Sequence, residues 1–180
     1  MLKLFYAPNA CSLAPHIALN EAGADYEAVL IDTKNGEQRT AAYLAINPKA
    51  RVPSLATDRG ILTEVPVLLG YIARNFPKAE LAPTDGFDFF EMQSFNTYLA
   101  STIHITYAHL LRPERYADSD AAKADMRAKD AKRLGDQCPP IYDRLTAGRA
   151  WVHGASFLLS PRHSCFPTPW PDPRGPSAPP

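Results

Sequence analysis

Residues 2–21, LKLFYAPNACSLAPHIALNE, decide the fold. The first five mix apolar and aromatic side chains as a short strand does, and Pro8 then breaks the run. From Ser12 to Glu21, apolar groups recur at the spacing of a helix. A second strand-like run, Tyr26 to Ile31, follows a glycine turn. The segment therefore predicts the βαβ unit of an α/β domain.

The residues that follow predict the remainder of one domain. A short helix is predicted over Glu37 to Ile46, strands over Ser54 to Thr57 and Ile61 to Thr63, and a helix from Glu64 to about Asn75. Pro66 fits the first turn of this last helix because an amide hydrogen there would lack an intrahelical partner. The order βαβ, α, ββ, α is that of a thioredoxin-like domain, which we assign to residues 1–76.

The second half of the chain predicts helices and then a tail. Residues 77–86 contain two prolines and predict a linker. A helical domain is assigned to residues 87–159. It is predicted to begin with a long helix, whose apolar face comprises Phe90, Phe95, Leu99, Ile103, Tyr107 and Leu110. A second helix is predicted over Asp120 to Arg133. Residues 160–180 contain eight prolines and no periodicity, so a disordered tail is expected.

Charge and composition exclude several classes of protein. The 19 basic and 19 acidic side chains cancel, which removes the positive field that nucleic acid or an anionic membrane requires. No apolar run approaches the roughly 20 residues that cross a bilayer, and a signal peptide's charged and apolar regions are missing. We expect a cytoplasmic protein without a nucleic-acid or membrane partner. The cysteines and histidines lack metal-ligand spacing, so no metal is expected.

Cys11 is the strongest candidate for chemistry. It lies between the first strand and the first helix, where helix-terminal amides and the helix dipole favour an anionic sulfur. An isolated cysteine is more often an inert core residue, but this position favours a thiolate. No second cysteine follows within the next residues. One thiol meeting an external thiol is therefore favoured over a dithiol cycle.

Two other segments could hold the parts of a small peptide. Val52-Pro53 lies between a helix and a strand, a setting in which a cis proline exposes the backbone of the preceding residue, although an ordinary X-Pro turn is the alternative. Glu64 and Val65 open a helix, so its amides could hold a carboxylate while Glu64 accepts from an ammonium group. A glutamate that only stabilises the dipole is the alternative there. His104 on the long helix is either structural or a ligand contact.

These residues together resemble the bacterial beta-class glutathione transferases. The resemblance rests on Lys3 to Leu13, on Asn47-Pro48-Lys49 with Val52-Pro53, and on Leu62-Thr63-Glu64. It extends through Tyr98-Leu99-Ala100-Ser101 and His104 to Leu111-Arg112-Pro113, and Trp151-Val152 with Gly154 resembles a later segment of the family. The resemblance implies a thioredoxin-like domain followed by an all-helical domain, assembled as a homodimer, that transfers the sulfur of glutathione to electrophiles.

The resemblance also implies a role for each candidate residue. Cys11 would face the glutathione sulfur, and the backbone of Val52, before Pro53, would pair with the cysteinyl portion. Glu64 and Val65 would hold the γ-glutamyl end, while Lys34 and His104 would lie near the glycyl end or the sulfur. Glutathione is then a co-substrate and a small hydrophobic electrophile its partner. The thiolate attacks while the protein supplies orientation.

Two residues and one short segment among the first 140 residues depart from the family pattern. Val65 replaces a small hydroxyl residue, which removes one hydrogen bond to the carboxylate, worth roughly 1 kcal/mol. Thr97 stands where relatives often carry an asparagine near the sulfur. Cys138-Pro139-Pro140 is expected to interrupt a helix because an interior proline costs about 3 kcal/mol.

The C-terminal end departs furthest from the family. Where an aspartate-bearing core helix should follow Phe157, the chain reads Leu158-Leu159-Ser160-Pro161. Codons for Leu159 to Phe166, read one base out of register, can spell Val-Ala-Ala-Pro-Gln-Leu-Phe, the start of such a helix. We hypothesise a frameshifted C-terminus and an incomplete helical domain, which sequencing of the coding DNA tests.

Two other functions stay open at this stage. One is a glutathione-dependent thiol transferase or peroxidase that works through a mixed disulfide of Cys11. The other is a non-catalytic binder of glutathione or another ligand, or a chain too damaged to fold, because losing a core helix removes many buried contacts. A Cys11→Ala variant separates conjugation, which can survive the change, from disulfide exchange, which cannot.

Overall fold

The computed structural model describes the backbone of residues 1–146 and the side chains of residues 1–136. Four strands form one sheet in the order β2-β1-β3-β4: β1 Leu2–Tyr6, β2 Tyr26–Leu30, β3 Ser54–Thr57 and β4 Gly60–Thr63. Strand β1 runs parallel to β2 and antiparallel to β3, and β3 pairs antiparallel with β4. The sheet is therefore mixed, as the order of elements predicted.

The helices occupy both faces of this sheet and then form a second unit. They are α1 Leu13–Glu21, α2 Ala41–Leu44, α3 Val65–Asn75, α4 Gly86–Tyr98, α5 His104–Leu111 and α6 Asp120–Thr146. A π-helical segment, Leu99–Ile103, joins α4 to α5, and short 3-10 turns cover Glu37–Arg39, Pro77–Ala79 and Pro113–Arg115. The predicted thioredoxin-like domain followed by a helical domain is confirmed.

Alternation along the strands divides the core between the two faces of the sheet. Leu4 and Leu55 pack with α1 and α3 on one face, where Leu19, Leu68 and Ile72 are also fully buried. Phe5, the residue after Leu4 in β1, points to the other face and packs with Ile31 and Tyr43. Successive side chains of a strand face opposite ways, so one strand supplies both layers.

The predicted helix over Glu37 to Ile46 is wrong in detail. A 3-10 turn and the one-turn helix α2 replace it, because Thr40 between them is extended, with φ −69° and ψ 152°. The Thr40 hydroxyl accepts from the amide of Tyr43 at 3.3 Å and so caps α2. Threonine at such a position satisfies a helix-start amide, which is why the helix begins anew there.

The long helix also differs from its predicted face. Its buried positions are Phe89, Met92, Asn96, Leu99, Ile103 and Thr106, whereas Phe90 is exposed. Two of those six side chains, Asn96 and Thr106, are polar. Apolar periodicity therefore predicts a face that begins at Phe90 instead of Phe89. The helix ends at Leu111, directly before Arg112.

The helix α6 continues past its predicted end at Arg133 and through Cys138-Pro139-Pro140. The expected interruption is therefore wrong. Proline's fixed φ is itself helical, so the two prolines remove amide donors from a helix of 27 residues without ending it.

Several predictions fall on residues 147–180, outside the described residues. They concern Trp151-Val152 with Gly154, the sequence Leu158-Leu159-Ser160-Pro161, the hypothesised frameshift, and the tail over residues 160–180. Within the described chain, no helix combines the length and the apolar composition needed to cross a membrane.

Candidate functional site

The loop that carries Cys11 is fixed by the buried residue after it. The Ser12 hydroxyl accepts from the amide of Ala7 at 3.1 Å and donates to the carbonyl of Ala7 at 3.0 Å. The amide of Leu13 donates to the Ala10 carbonyl, and that of Ala14 to the Cys11 carbonyl. Ser12 thus closes the loop between β1 and α1 and holds Cys11, half-buried, at the start of α1.

The thiol of Cys11 faces the loop that contains Val52-Pro53. Its sulfur lies 3.6 Å from the carbonyl oxygen of Val52, to which the S–H donates. The Val52-Pro53 peptide bond is cis, which is one of the two alternatives that the sequence left open. The structure therefore brings together the thiol and the cis-proline backbone that the family resemblance assigned to the same part of glutathione.

A buried polar network holds this second loop in place. The Tyr43 hydroxyl and the Asn47 side-chain amide both donate to the carbonyl of Arg51, at 2.8 and 2.7 Å. Asn47 also donates to the Ser54 hydroxyl at 3.0 Å. Because Tyr43, Asn47 and Ser54 are buried, the backbone of residues 51–54 is anchored from beneath.

The sequence predicted an anionic sulfur at Cys11, and the structure corrects that prediction. Burial raises the pKa of the Cys11 thiol above that of an ordinary cysteine, and the nearby charge of Glu64 raises it further. A backbone hydrogen bond at Cys11 and the guanidinium groups of Arg51 and Arg112 oppose the rise without reversing it. The first amides of α1 already donate to backbone carbonyls. They therefore do not donate to the sulfur and do not offset the effect of burial on its pKa.

His104 begins α5, directly after the π-helical segment, and is half-buried. Burial lowers the pKa of its imidazole, and the positive charges of Arg112 and Arg51 lower it further. The imidazole is therefore biased toward its neutral form. The same two arginines act on the thiol of Cys11, which places all four side chains in one electrostatic neighbourhood.

The start of α3 carries the third predicted part of the site. Glu64 has a φ of 73° and does not cap the helix with its side chain. Its carboxylate instead accepts from the Lys49 ammonium group at 2.7 Å, and the same ammonium group donates to the Thr63 hydroxyl at 2.9 Å. Val65 is the first residue of the helix.

Two further residues named in the sequence analysis are exposed in the structure. Lys34 is exposed in the turn after β2, where its backbone amide donates to the Asp32 carboxylate at 3.1 Å. In the part of the chain with described side chains, Lys34 makes no hydrogen bond to another candidate residue. Thr97, which replaces the family's asparagine, is exposed on α4. Among those same residues no group of three or more histidine, cysteine, aspartate or glutamate side chains is arranged to hold a metal ion.

Sequence reasoning missed Arg51, Arg112 and Lys49 as members of the site. Arg51 directly precedes Val52, and the motifs quoted for the resemblance contained both Lys49 and Arg112 without a role. The available signal was that each of these cations lies within a recognised motif or directly beside one. Their convergence depends on the folding of distant segments, which spacing alone does not give.

The fold and site define the class of protein: a thioredoxin-like domain joined to a helical domain, with a cysteine facing a cis-proline loop. Residues 1–74 match the model of the glutathione S-transferase N-terminal domain. The chain is 36% identical over 166 residues to glutathione S-transferase GstA of Escherichia coli O157:H7, covering 88% of this chain and 77% of that protein. This chain belongs to the glutathione S-transferase family.

Solved structures agree with that assignment. A glutathione transferase homologue from Sulfitobacter, crystallised with bound glutathione, aligns with a TM-score of 0.80 and 39% identity, over 88% of this chain and 76% of that one. The beta-class enzyme of Sphingomonas chungbukensis aligns with a TM-score of 0.69 and 36% identity, over 87% and 76%. The resemblance to the bacterial beta class is thereby confirmed.

Proposed function

We propose that this protein is a glutathione transferase that joins the sulfur of glutathione to small hydrophobic electrophiles, in the cytoplasm and as a homodimer. The observation that carries the proposal is the contact between the Cys11 thiol and the Val52 carbonyl at the cis-proline loop. Membership of the family supports it, since the Sulfitobacter homologue was crystallised with glutathione. The proposed units are residues 1–76 for glutathione binding, a linker over 77–86 and a helical domain over 87–159.

The bound tripeptide would extend from the cis-proline loop to the start of α3. We assign the backbone of Val52, held by the cis peptide to Pro53, to the cysteinyl portion of glutathione. Glu64 and the amide of Val65 then take the γ-glutamyl group. Lys34 and His104 serve the glycyl end and the sulfur, and no metal takes part.

The protonation state of Cys11 favours transfer over disulfide exchange. A thiol whose pKa is raised is a hydrogen-bond donor at neutral pH and a poor nucleophile. Cys11 would donate to the sulfur of the glutathione thiolate, and the charges of Arg51 and Arg112 would stabilise that anion. With an aryl chloride, the carbon–sulfur bond forms, chloride leaves with its bonding electrons, and the glutathione thiol proton passes to solvent.

The test is conjugation of glutathione to a chloronitrobenzene by the purified full-length chain, with Cys11→Ala as the variant. We expect turnover by the wild type and turnover reduced by no more than about tenfold in the variant, because one donor is lost. A parallel assay of glutathione-dependent disulfide reduction measures the competing activity. A wild type that melts cooperatively but turns over only the disulfide would replace the proposed function with thiol transfer.

A further inference from the structure

The binding site proposed for the γ-glutamyl group lacks donors that α3 would ordinarily supply. Val65 has no hydroxyl group, and Pro66, the next residue of the helix, has no amide hydrogen. The amide of Leu68 is already used, since it donates to the Glu64 carbonyl at 3.0 Å. An α-carboxylate placed at this helix start therefore finds few neutral donors.

Lys49 brings a cation to the same place. Its ammonium group lies 2.7 Å from the Glu64 carboxylate and 2.9 Å from the Thr63 hydroxyl, the two residues that precede α3. An ammonium group has three hydrogens, so a third is available for a ligand oxygen. The Lys49 side chain is 53% exposed, so its ammonium group is accessible to a ligand.

The backbone of Lys49 is fixed independently of its side chain. Its amide donates to the side-chain oxygen of Asn47 at 3.1 Å, and Asn47 is almost completely buried. Asn47 is the same residue that anchors the carbonyl of Arg51 beneath the cis-proline loop. One buried asparagine thus positions both the loop for the cysteinyl portion and the lysine beside α3.

We propose that Lys49 is a glutathione-binding residue that holds the α-carboxylate of the γ-glutamyl group and so replaces the donors missing at Val65 and Pro66. Glu64 then takes the α-ammonium group. The ion pair between Lys49 and Glu64 places a positive and a negative charge side by side, as the neighbouring carboxylate and ammonium groups of the γ-glutamyl end require. This role rests on the proposed function, because it assigns part of the same glutathione site.

The opposite effect is also chemically reasonable and defines the test. If Lys49 only neutralised Glu64, it would compete with the ligand's ammonium group, and removing it would tighten binding. If Lys49 holds the carboxylate, removing it weakens binding. The two roles therefore predict changes of opposite sign in the Kd of glutathione.

The experiment is isothermal titration of the full-length wild type, Lys49→Met and Lys3→Met at constant ionic strength. Lys3 is the matched control, since its ammonium group forms an exposed ion pair with Glu27 at 2.8 Å on the sheet. Three ligands separate the two charges. They are glutathione, glutaryl-Cys-Gly, which keeps the carboxylate without the ammonium group, and 4-aminobutyryl-Cys-Gly, which keeps the ammonium group without the carboxylate.

We expect Lys49→Met to weaken glutathione and glutaryl-Cys-Gly by about tenfold, as the loss of a charge-assisted hydrogen bond does, without weakening 4-aminobutyryl-Cys-Gly. Lys3→Met should leave all three affinities unchanged. Adding Val65→Ser to Lys49→Met should recover part of the lost affinity for glutathione, because the hydroxyl restores a donor.

An unchanged or tighter Kd for glutathione in Lys49→Met would overturn the role of Lys49 and leave the proposed function standing. Equal weakening of all three ligands would also overturn it, since the effect would not follow the carboxylate. A wild type that melts cooperatively but binds no glutathione would instead overturn the proposed function, and the lysine's role with it. Circular dichroism and melting temperature confirm that each variant is folded.

Discussion

Ala50 lies in the turn before the cis-proline loop and has a φ of 54°, in the left-handed region that glycine adopts without strain. Ala50→Gly should therefore stabilise the protein by about 0.5–1 kcal/mol, the steric relief exceeding the entropy that glycine adds to the unfolded chain. Ala45→Gly is the matched control, because Ala45 has an ordinary helical φ of −66° and should lose stability. Urea denaturation measures both, and a destabilised Ala50→Gly would contradict the argument.

The Cys11 thiol offers a prediction of pH dependence. Because burial raises its pKa, alkylation of Cys11 by iodoacetamide should reach its half-maximal rate at a higher pH in the folded protein than in the urea-unfolded chain. Glu64→Gln should lower that midpoint by removing a negative charge, and Arg112→Gln should raise it by removing a positive one. Peptide-resolved mass spectrometry separates Cys11 from the other cysteines. A wild-type midpoint at or below that of the unfolded chain, or shifts of the same sign in both variants, would refute the electrostatic account.

At the residue scale, the sequence predicted the parts of the site that have local signals. Cys11 follows a strand and opens a helix, and Glu64 precedes one, so chain order alone places them at element ends. The ionisation state of Cys11 has no such signal, since it depends on burial by residues more than forty positions away. Arg51 and Lys49 were missed for the same reason: their relation to the thiol and to Glu64 exists only after the loops meet.

At the element scale, the long helix shows where apolar periodicity misleads. Buried positions recur at spacings of three and four through the π-helical segment, but Asn96 and Thr106 occupy two of them. Thr106 satisfies its hydroxyl by donating to the Thr102 carbonyl at 2.8 Å, so a polar residue fits the buried face. Strand β1 and α3 were predicted well because all of their buried positions are apolar.

One of the contacts between α5 and α6 is made by a buried carboxylate. Asp130 has a side chain only 8% exposed and lies 2.7 Å from the imidazole of His109. Asp130→Ala should cost about 2–3 kcal/mol, because it leaves His109 without this partner. Asp125→Ala on the same helix should cost at most about 0.5 kcal/mol, since Asp125 forms an exposed pair with Lys129. Equal urea midpoints for the two variants would show that this buried pair adds no stability.

At the scale of the whole molecule, α3 and α4 join the thioredoxin-like sheet to the helices. The Arg74 guanidinium lies 4.3 Å from the centre of the Phe89 ring, and the Gln93 side chain donates to the Pro66 carbonyl at 3.4 Å. Apolar periodicity did not predict this pairing, because it placed Phe90 and not Phe89 on the packed face. With Phe89 turned inward, Phe87 and Phe90 are left on the outer surface of α4.

From the exposed rings of Phe87 and Phe90 we predict which surface of the chain forms the dimer interface. Phe87 is 72% and Phe90 68% exposed, and large aromatic side chains grouped on a surface are typical of an interface. In the proposed homodimer, Phe90→Asp would bury an unpaired charge, so we expect the variant to sediment as a monomer where the wild type sediments as a dimer. Leu111→Asp is the control, because Leu111 is 60% exposed at the end of α5 and its variant should stay dimeric. Analytical ultracentrifugation at several concentrations measures the oligomeric state of the wild type and both variants. A dimeric Phe90→Asp would place the interface elsewhere. A monomeric wild type would remove the dimer from the proposal.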